Sequence, residues 1–380
     1  MSSYVYPHDP VDGEYAVRLL ENMLRIYSPS GREGELSSYL KSELVSLGFD
    51  NVVVDSVGNV FGEAGRGRPV ILFVGHIDTV SPFLPVKASG DRLYGRGAVD
   101  AKSPMAAMIV AASRWIKSHN HGTVRVCCLV DEEGSGKGVK KLIEEAPEAD
   151  YAVFGEPSGL RNITVGYRGH VGVKLSVKAE PIHISVGRKE FNAVELVLDL
   201  WEKIRERLSE ANFSEKGEFH RVTSSITRIE GGEGGNVTPR RCDLYLDIRV
   251  PPEVRCDDLT RTLQGLVSEF NEENEKASAS MKVKFKVDPV LVSKSSPVVR
   301  ALTRAILKTL GKPVRFIKKL GTGDMNLLVS KLDIPAATYG PSDPKLSHTL
   351  DEYVEIREYL ESIKVYHNAV SELCRMYEKG

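Results

Sequence analysis

Cysteine is scarce in this chain. The five cysteines in 380 residues are an odd number without a Cys-x-x-Cys pair, so neither a disulfide framework nor a cysteine zinc site is expected, and a reducing cytoplasm is the default location. Net charge is also nearly absent, at a formal -1, and no lysine- or arginine-rich run exceeds a few residues. That excludes a global field for nucleic acid. No apolar run is long enough to span a bilayer, and Met1 to Pro10 lack a basic segment followed by an apolar core, so no signal peptide is expected. What remains is ordinary globular material, 41% hydrophobic and 27% charged, in a length that exceeds one typical domain.

The stretch Val70-Ile-Leu-Phe-Val-Gly75-His76-Ile-Asp78 organises the chain. Five uncharged apolar residues, three of them β-branched, predict a buried strand of an α/β sheet. Ligands gather at the carboxyl ends of such strands, where His76 and Asp78 sit. Residues i and i+2 of an extended chain point the same way, so Asp78 can orient the His76 ring as a metal-bound imidazole requires. A histidine hydrogen-bonded in a turn is the other reading of this strand alone.

Further buried strands are predicted at 124–130 and 151–154, separated by helices near 104–118 and before Glu145, which implies a mostly parallel sheet. From Thr164 to Lys178 the pattern alternates as one long antiparallel strand, followed by two helices and three more strands up to Val287. Helix and strand patterns then resume to a closing helix from about Tyr353. The expected fold is therefore α/β, a mostly parallel-sheet domain formed by 1–164 and 291–380 with an α+β insert at 165–290.

Each buried strand of the first half ends in a candidate ligand: His76, then Glu132 and Glu133, then Glu156. Asp100 lies in the glycine-rich loop Gly95-Arg-Gly-Ala-Val-Asp100, and His348 follows the late strand at Ala336 to Tyr339. Carboxylates brought that close repel unless cations balance them. Mixed histidine and carboxylate donors suit zinc first, or cobalt or manganese. In Asp131-Glu132-Glu133 the adjacent side chains diverge, so one glutamate can bind metal while the other faces an activated water as general base. A solvated acidic turn is the alternative for that triplet taken alone.

Gly75-His-Ile-Asp-Thr-Val80, Gly95 to Lys102, Asp131-Glu-Glu133, Gly155-Glu-Pro157 and His348, in that order and spacing, resemble the co-catalytic zinc aminoacylase and carboxypeptidase family over nearly the whole chain. The resemblance implies an amide hydrolase with two divalent metal ions, one held by His76 and Glu156 and the other by Glu133 and His348, with Asp100 bridging. It implies Glu132 as general base, Asp78 behind His76, and a cis peptide at Asp100-Ala101. The insert would be the family's lid and dimerisation domain, making the protein a homodimer. There His183 resembles the histidine that stabilises the oxyanion, although Ile184 and Ser185 follow it where the family has small residues. Asn236 and Arg249 resemble residues that bind a substrate carboxylate. Gly321-Thr-Gly-Asp324 falls where the family has a glycine-rich loop lining the site.

Within the family, Gly95 to Lys102, Gly155 to Gly159 and Ile163 to Gly169 look most like the hydrolases that release lysine or ornithine from an acidic amino-group carrier protein. Arg161, Arg168, Lys174 and the run 312–319 are candidates for a basic surface toward such a carrier. Two alternatives stand beside this: a deacylase of free acetylornithine or succinyl-diaminopimelate, and an inactive metal-binding interaction module. Intact Glu132 argues against the second.

Overall fold

The computed structural model describes residues 13–118, 121–210 and 217–379. The amino-terminal stretch read above for a signal peptide lies outside them. In chain order the elements are α1 (Gly13–Arg25), α2 (Gly34–Ser46), β1 (Asp50–Val54), β2 (Val60–Arg66), β3 (Val70–His76), β4 (Lys87–Ser89), β5 (Arg92–Tyr94), α3 (Lys102–Ser118), β6 (Gly122–Leu129), α4 (Lys137–Glu145), β7 (Tyr151–Gly155), β8 (Asn162–Tyr167), β9 (Gly169–Ala179), α5 (Ala193–Glu210), β10 (Thr223–Gly231), β11 (Arg241–Val250), α6 (Cys256–Glu273), β12 (Ala277–Val287), β13 (Val290–Leu291), α7 (Pro297–Leu310), β14 (Arg315–Lys319), α8 (Asp324–Leu332), β15 (Ala336–Tyr339), β16 (Tyr353–Glu355) and α9 (Ile356–Tyr377). No described helix is long and apolar enough to cross a membrane.

The chain forms two compact units. Among the described residues, the first comprises those up to Val165, Val292–Ile317 and those from Leu327 onward, and the second those within Gly166–Leu291 and Lys318–Asn326. In the first, the sheet runs β1-β2-β6-β3-β7-β15-β8. Its four central strands, β6, β3, β7 and β15, are mutually parallel. The flanking pairs β1-β2, β2-β6 and β15-β8 are antiparallel. The expected parallel sheet is thus the centre of a mixed one. Ile71 to His76 are all buried, as a strand covered on both faces must be. The core joins Leu19, Leu20 and Met23 of α1, Leu40 and Leu44 of α2, the alanine-rich face of α3, and Tyr359, Tyr366 and Val370 of α9 around Phe73. Small residues at Ala106, Ala107, Ala111 and Ala112 let α3 sit close to its neighbours.

The second unit is a four-stranded antiparallel sheet of order β10-β11-β9-β12. Leucines and valines of β9 and β11 alternate inward against Leu196, Leu200 and Ile204 of α5 and Leu263 and Phe270 of α6. The long strand expected over Thr164 to Lys178 is two strands, β8 and β9, separated at Arg168. That residue is 5% exposed. Its Nε donates to the carbonyl of Leu320, and Nη1 donates to Arg221 O and Thr223 Oγ1. Asn326 Nδ2 donates to the carbonyls of Arg168 and Asp288, so the stretch Lys318–Asn326 is tied into this unit. The closing helix begins at Ile356 rather than Tyr353, because Tyr353–Glu355 pairs antiparallel with β5. The Tyr353 ring lies 5.2 Å from Tyr94 and 4.3 Å beneath the Arg92 guanidinium.

The outer face of the second sheet carries a charge chain. Arg249 Nε and Nη2 donate to the two carboxylate oxygens of Asp247 at 2.8 and 3.0 Å, and His170 Nε2 lies 2.8 Å from Asp247 Oδ2. Burial pushes the Asp247 carboxyl up, but the His170 and Arg249 contacts prevail and hold it at about 2. Its stabilisation is therefore present above the ordinary carboxylate pKa and is lost as pH falls through about 2. Asp247→Asn is expected to lose about 1 kcal/mol at pH 7, allowing for solvent screening of a part-exposed group. The deficit disappears near pH 2, as read from urea unfolding at both pH values.

Candidate metal centre

Because β6, β3, β7 and β15 are adjacent and parallel, their carboxyl ends lie along one edge of the sheet. The chain leaving each strand at that edge carries a candidate ligand: Glu132 and Glu133 after β6, His76 ending β3, Glu156 after β7 and His348 in the loop after β15. Asp100 comes from the loop between β5 and α3, and its peptide bond to Ala101 is cis, as expected. Gly97 in that loop has φ +90, and a Cβ there would stand 2.9 Å from Lys102 Cδ. Gly340 passes so close to the Glu156 backbone that a Cβ would stand 2.5 Å from its carbonyl oxygen.

The distances sort the donors into two overlapping sets. Asp100 Oδ1 is 3.2 Å from His76 Nε2, and Asp100 Oδ2 is 3.4 Å from His348 Nε2. Glu156 Oε1 is 3.6 Å from His76 Nε2, and Glu133 Oε1 is 2.7 Å from His348 Nε2. The donor atoms of His76, Asp100 and Glu156 all lie within 4.8 Å of one another, and so do those of Asp100, Glu133 and His348. A third such group, His76, Glu132 and Glu133, places Glu132 at the same cluster. One carboxylate therefore presents a different oxygen to each histidine.

Burial opposes protonation of His76, but bonds to Asp100 and Asp78 and the charges of Glu132 and Glu156 raise its pKa well above the ordinary value. Bonds to Asp100 and Glu133 raise His348 to about 10. Four carboxylates against two imidazoles leave the cluster anionic even with both rings protonated. That donor set, all imidazole nitrogen and carboxylate oxygen, fits divalent cations.

Asp78 does more than the sequence indicates. His76 Nδ1 lies 3.0 Å from the Asp78 carbonyl oxygen and 3.4 Å from its carboxylate. Donation from Nδ1 to that carbonyl turns Nε2 toward Asp100 and Glu156. The Asp78 carboxylate, fully buried, also accepts the backbone N–H groups of Glu132 and Glu133 at 3.0 and 3.1 Å and the Ser30 hydroxyl at 2.7 Å. Burial pushes its pKa up, but His76, Ser30 and the Glu132 N–H prevail and lower it. Glu33, 4% exposed, completes the support by accepting the N–H groups of Gly31 and Asp131. Three consecutive amides of the acidic turn thus end on buried carboxylates. Asp131 and His348 both take left-handed backbone conformations, with φ 61 and 64, which costs energy at a residue other than glycine.

Sequence reading missed Glu33, Ser30 and Glu352. Each is a single polar residue outside the strands and helices, and the partner that ties it to the site lies far away in sequence. Lys102 closes the loop motif that begins at Gly95. It is 1% exposed, donates from Nζ to the carbonyls of Met23 and Ile26, and burial lowers its pKa to about 7.

The remaining expected residues belong to the second unit. His183 and Asn236 lie on neighbouring segments: His183 bridges Val237, and the Ile184 N–H donates to the Asn236 carbonyl. His183 is exposed, with Nδ1 2.7 Å from Ser185 Oγ. Arg249 is engaged by Asp247 as described. Of the basic residues expected at the surface, Arg168 is buried and Lys174 is 2.8 Å from Asp243, so neither meets a partner as an unengaged charge, whereas Lys312 and Arg315 are exposed.

Residues 72–372 match the model of peptidase family M20/M25/M40. The chain is 33% identical over 359 residues to the LysW-lysine/LysW-ornithine hydrolase of Saccharolobus solfataricus, covering 94% of this chain and 96% of the relative. Among solved structures, aminopeptidase PepT from Bacillus cereus superposes with a TM-score of 0.80 at 19% identity, covering 95% of this chain and 99% of that one. The M20 family metallo-carboxypeptidase Sso-CP2 from Sulfolobus solfataricus gives 0.74 at 19% identity, with the same coverage. The chain belongs to the M20/M25/M40 peptidase family and is a metal-dependent hydrolase of amide bonds.

Proposed function

We propose that the protein releases lysine or ornithine from the terminal glutamate of an acidic amino-group carrier protein. The support is the identity of 33% over almost the full length with a relative named for that reaction, together with the clustered donors around Asp100. Two divalent cations, zinc first, fit the donors. His76 and Glu156 would hold one, Glu133 and His348 the other, and Asp100 both. Such cations polarise the scissile carbonyl and acidify water. Glu132, beside the Glu133 that faces His348, takes the proton from the attacking water and returns it to the leaving amine. Asp78 holds the acidic turn in place for that transfer.

The second unit serves as lid and dimerisation domain, with the remainder as a discontinuous catalytic domain. His183 donates to the oxyanion, and Asn236 and Arg249 receive the substrate carboxylate. Because Asp247 occupies the Nε and Nη2 edge of Arg249, a carboxylate would use Nη1. A homodimer is supported by β10, an edge strand that exposes Ile226 at 40% and Ile229 at 49%. A cytoplasmic setting accords with Cys127, Cys128, Cys242, Cys256 and Cys374 as buried free thiols.

The test is a substrate panel with metal-loaded protein. Carrier-linked lysine is expected to exceed acetylornithine and succinyl-diaminopimelate in kcat/KM by at least about tenfold, since contacts remote from the scissile bond contribute to transition-state binding. Higher kcat/KM for either small substrate would move the reading to a deacylase of free acyl-amino acids.

A further inference from the structure

The loop carrying Asp100 has little regular structure, and what holds it comes from far along the chain. Glu352 follows His348 by four residues, and its carboxylate is fully buried. Oε1 accepts the backbone N–H groups of Gly97, Val99 and Asp100 at 3.0, 2.9 and 3.1 Å. The main-chain carbonyl of Glu352 accepts the N–H of Gly95 at 3.2 Å. Oε2 is 2.7 Å from Arg96 Nη1. Arg96 is itself 2% exposed, and it donates from Nη1 to the Thr349 carbonyl and from Nε to the Pro82 carbonyl. One glutamate and one arginine thus fasten the Asp100 loop to the segment bearing His348.

A buried ion pair is a poor way to gain stability alone, because well-packed apolar residues do as well or better. It does supply direction. Three amides converging on one oxygen fix where the Asp100 backbone stands relative to the His348 turn, whose side chains meet at 3.4 Å. Glu33 and Asp78 hold the acidic turn by the same device. We propose that Glu352 is a positioning residue that sets the separation of Asp100 and His348 for the cation those two residues would share. This inference rests on the two-cation reading above.

The experiment is a Co²⁺ titration of chelator-treated protein, following affinity and the visible Co²⁺ band. Glu352→Gln is expected to weaken Co²⁺ binding about 10- to 100-fold, as loss of an outer partner of a metal ligand does, and to alter the band. Leu44→Ala, in the core of the same unit, is the control for general destabilisation: it lowers the melting temperature but leaves Co²⁺ affinity unchanged. Wild-type affinity and band shape in Glu352→Gln would overturn the inference while leaving the two-cation reading intact. An equal loss of affinity in Leu44→Ala would also overturn it. Wild-type protein that takes up no Co²⁺ would overturn the two-cation reading and this inference with it. Should Glu352→Gln fail to fold, Glu352→Asp keeps a charge opposite Arg96 but is too short to reach both Arg96 and the three amides, and the same outcomes decide.

Discussion

Glu132→Gln is expected to lower kcat about 10²- to 10⁴-fold while the protein keeps its full metal content. Glutamine preserves the size of the side chain and the backbone N–H that donates to Asp78 Oδ1 at 3.0 Å. It removes only the ability to take up a proton. Glu133, whose Oε1 stands 2.7 Å from His348 Nε2, remains in place to ligate. KM should change little, because an interaction made only in the transition state is lost. The measurement pairs steady-state release of the amino-acid product with elemental analysis of the same preparation. Turnover within about tenfold of wild type would remove Glu132 from the role of base. Loss of metal in parallel with turnover would reassign it as a ligand within the His76, Glu132, Glu133 group.

Asp100→Ala is expected to act on both halves of the cluster at once. Its two oxygens stand 3.2 Å from His76 Nε2 and 3.4 Å from His348 Nε2, so this one substitution removes a donor from both sets. Activity should fall by more than the roughly 10- to 100-fold that loss of an outer partner costs. A second readout is independent of substrate. Ligand that binds only the folded state stabilises it by about 2.7 kcal/mol at 100 times Kd. Zinc should therefore raise the melting temperature of wild type and fail to raise that of Asp100→Ala. Retention of one tightly bound equivalent in the variant would show that Asp100 serves one cation, not two.

The amino-acid sequence by itself determined the strand that ends at His76, its helical and parallel neighbours, and a set of donors at strand ends. Periodicity carries that information locally: β3 is uniformly apolar because both its faces are covered, and β9 and β11 alternate because one face is. The order of the motifs also carried the family. What the pattern misjudged has local causes. The alternation from Thr164 to Lys178 runs through Arg168, a residue that looks like surface charge but is buried and holds the backbone of the second unit. Tyr353 continues a helical pattern yet pairs with β5, because aromatic stacking and a strand partner outweigh intrinsic preference there.

Only the tertiary structure decided how the donors are held. Asp78 stands two residues from His76 and reads as its orienting carboxylate; that carboxylate lies 3.4 Å from His76 Nδ1 and also accepts N–H groups from the acidic turn, which spacing does not reveal. Glu352 reaches Asp100 across 252 positions and has no motif to mark it. The physical reason is the reach of each interaction. Strand and helix patterns arise between residues a few positions apart, so composition and spacing reveal them. A carboxylate that collects backbone N–H groups is chosen by whichever loop the fold brings beside it, and only the folded chain specifies that pairing.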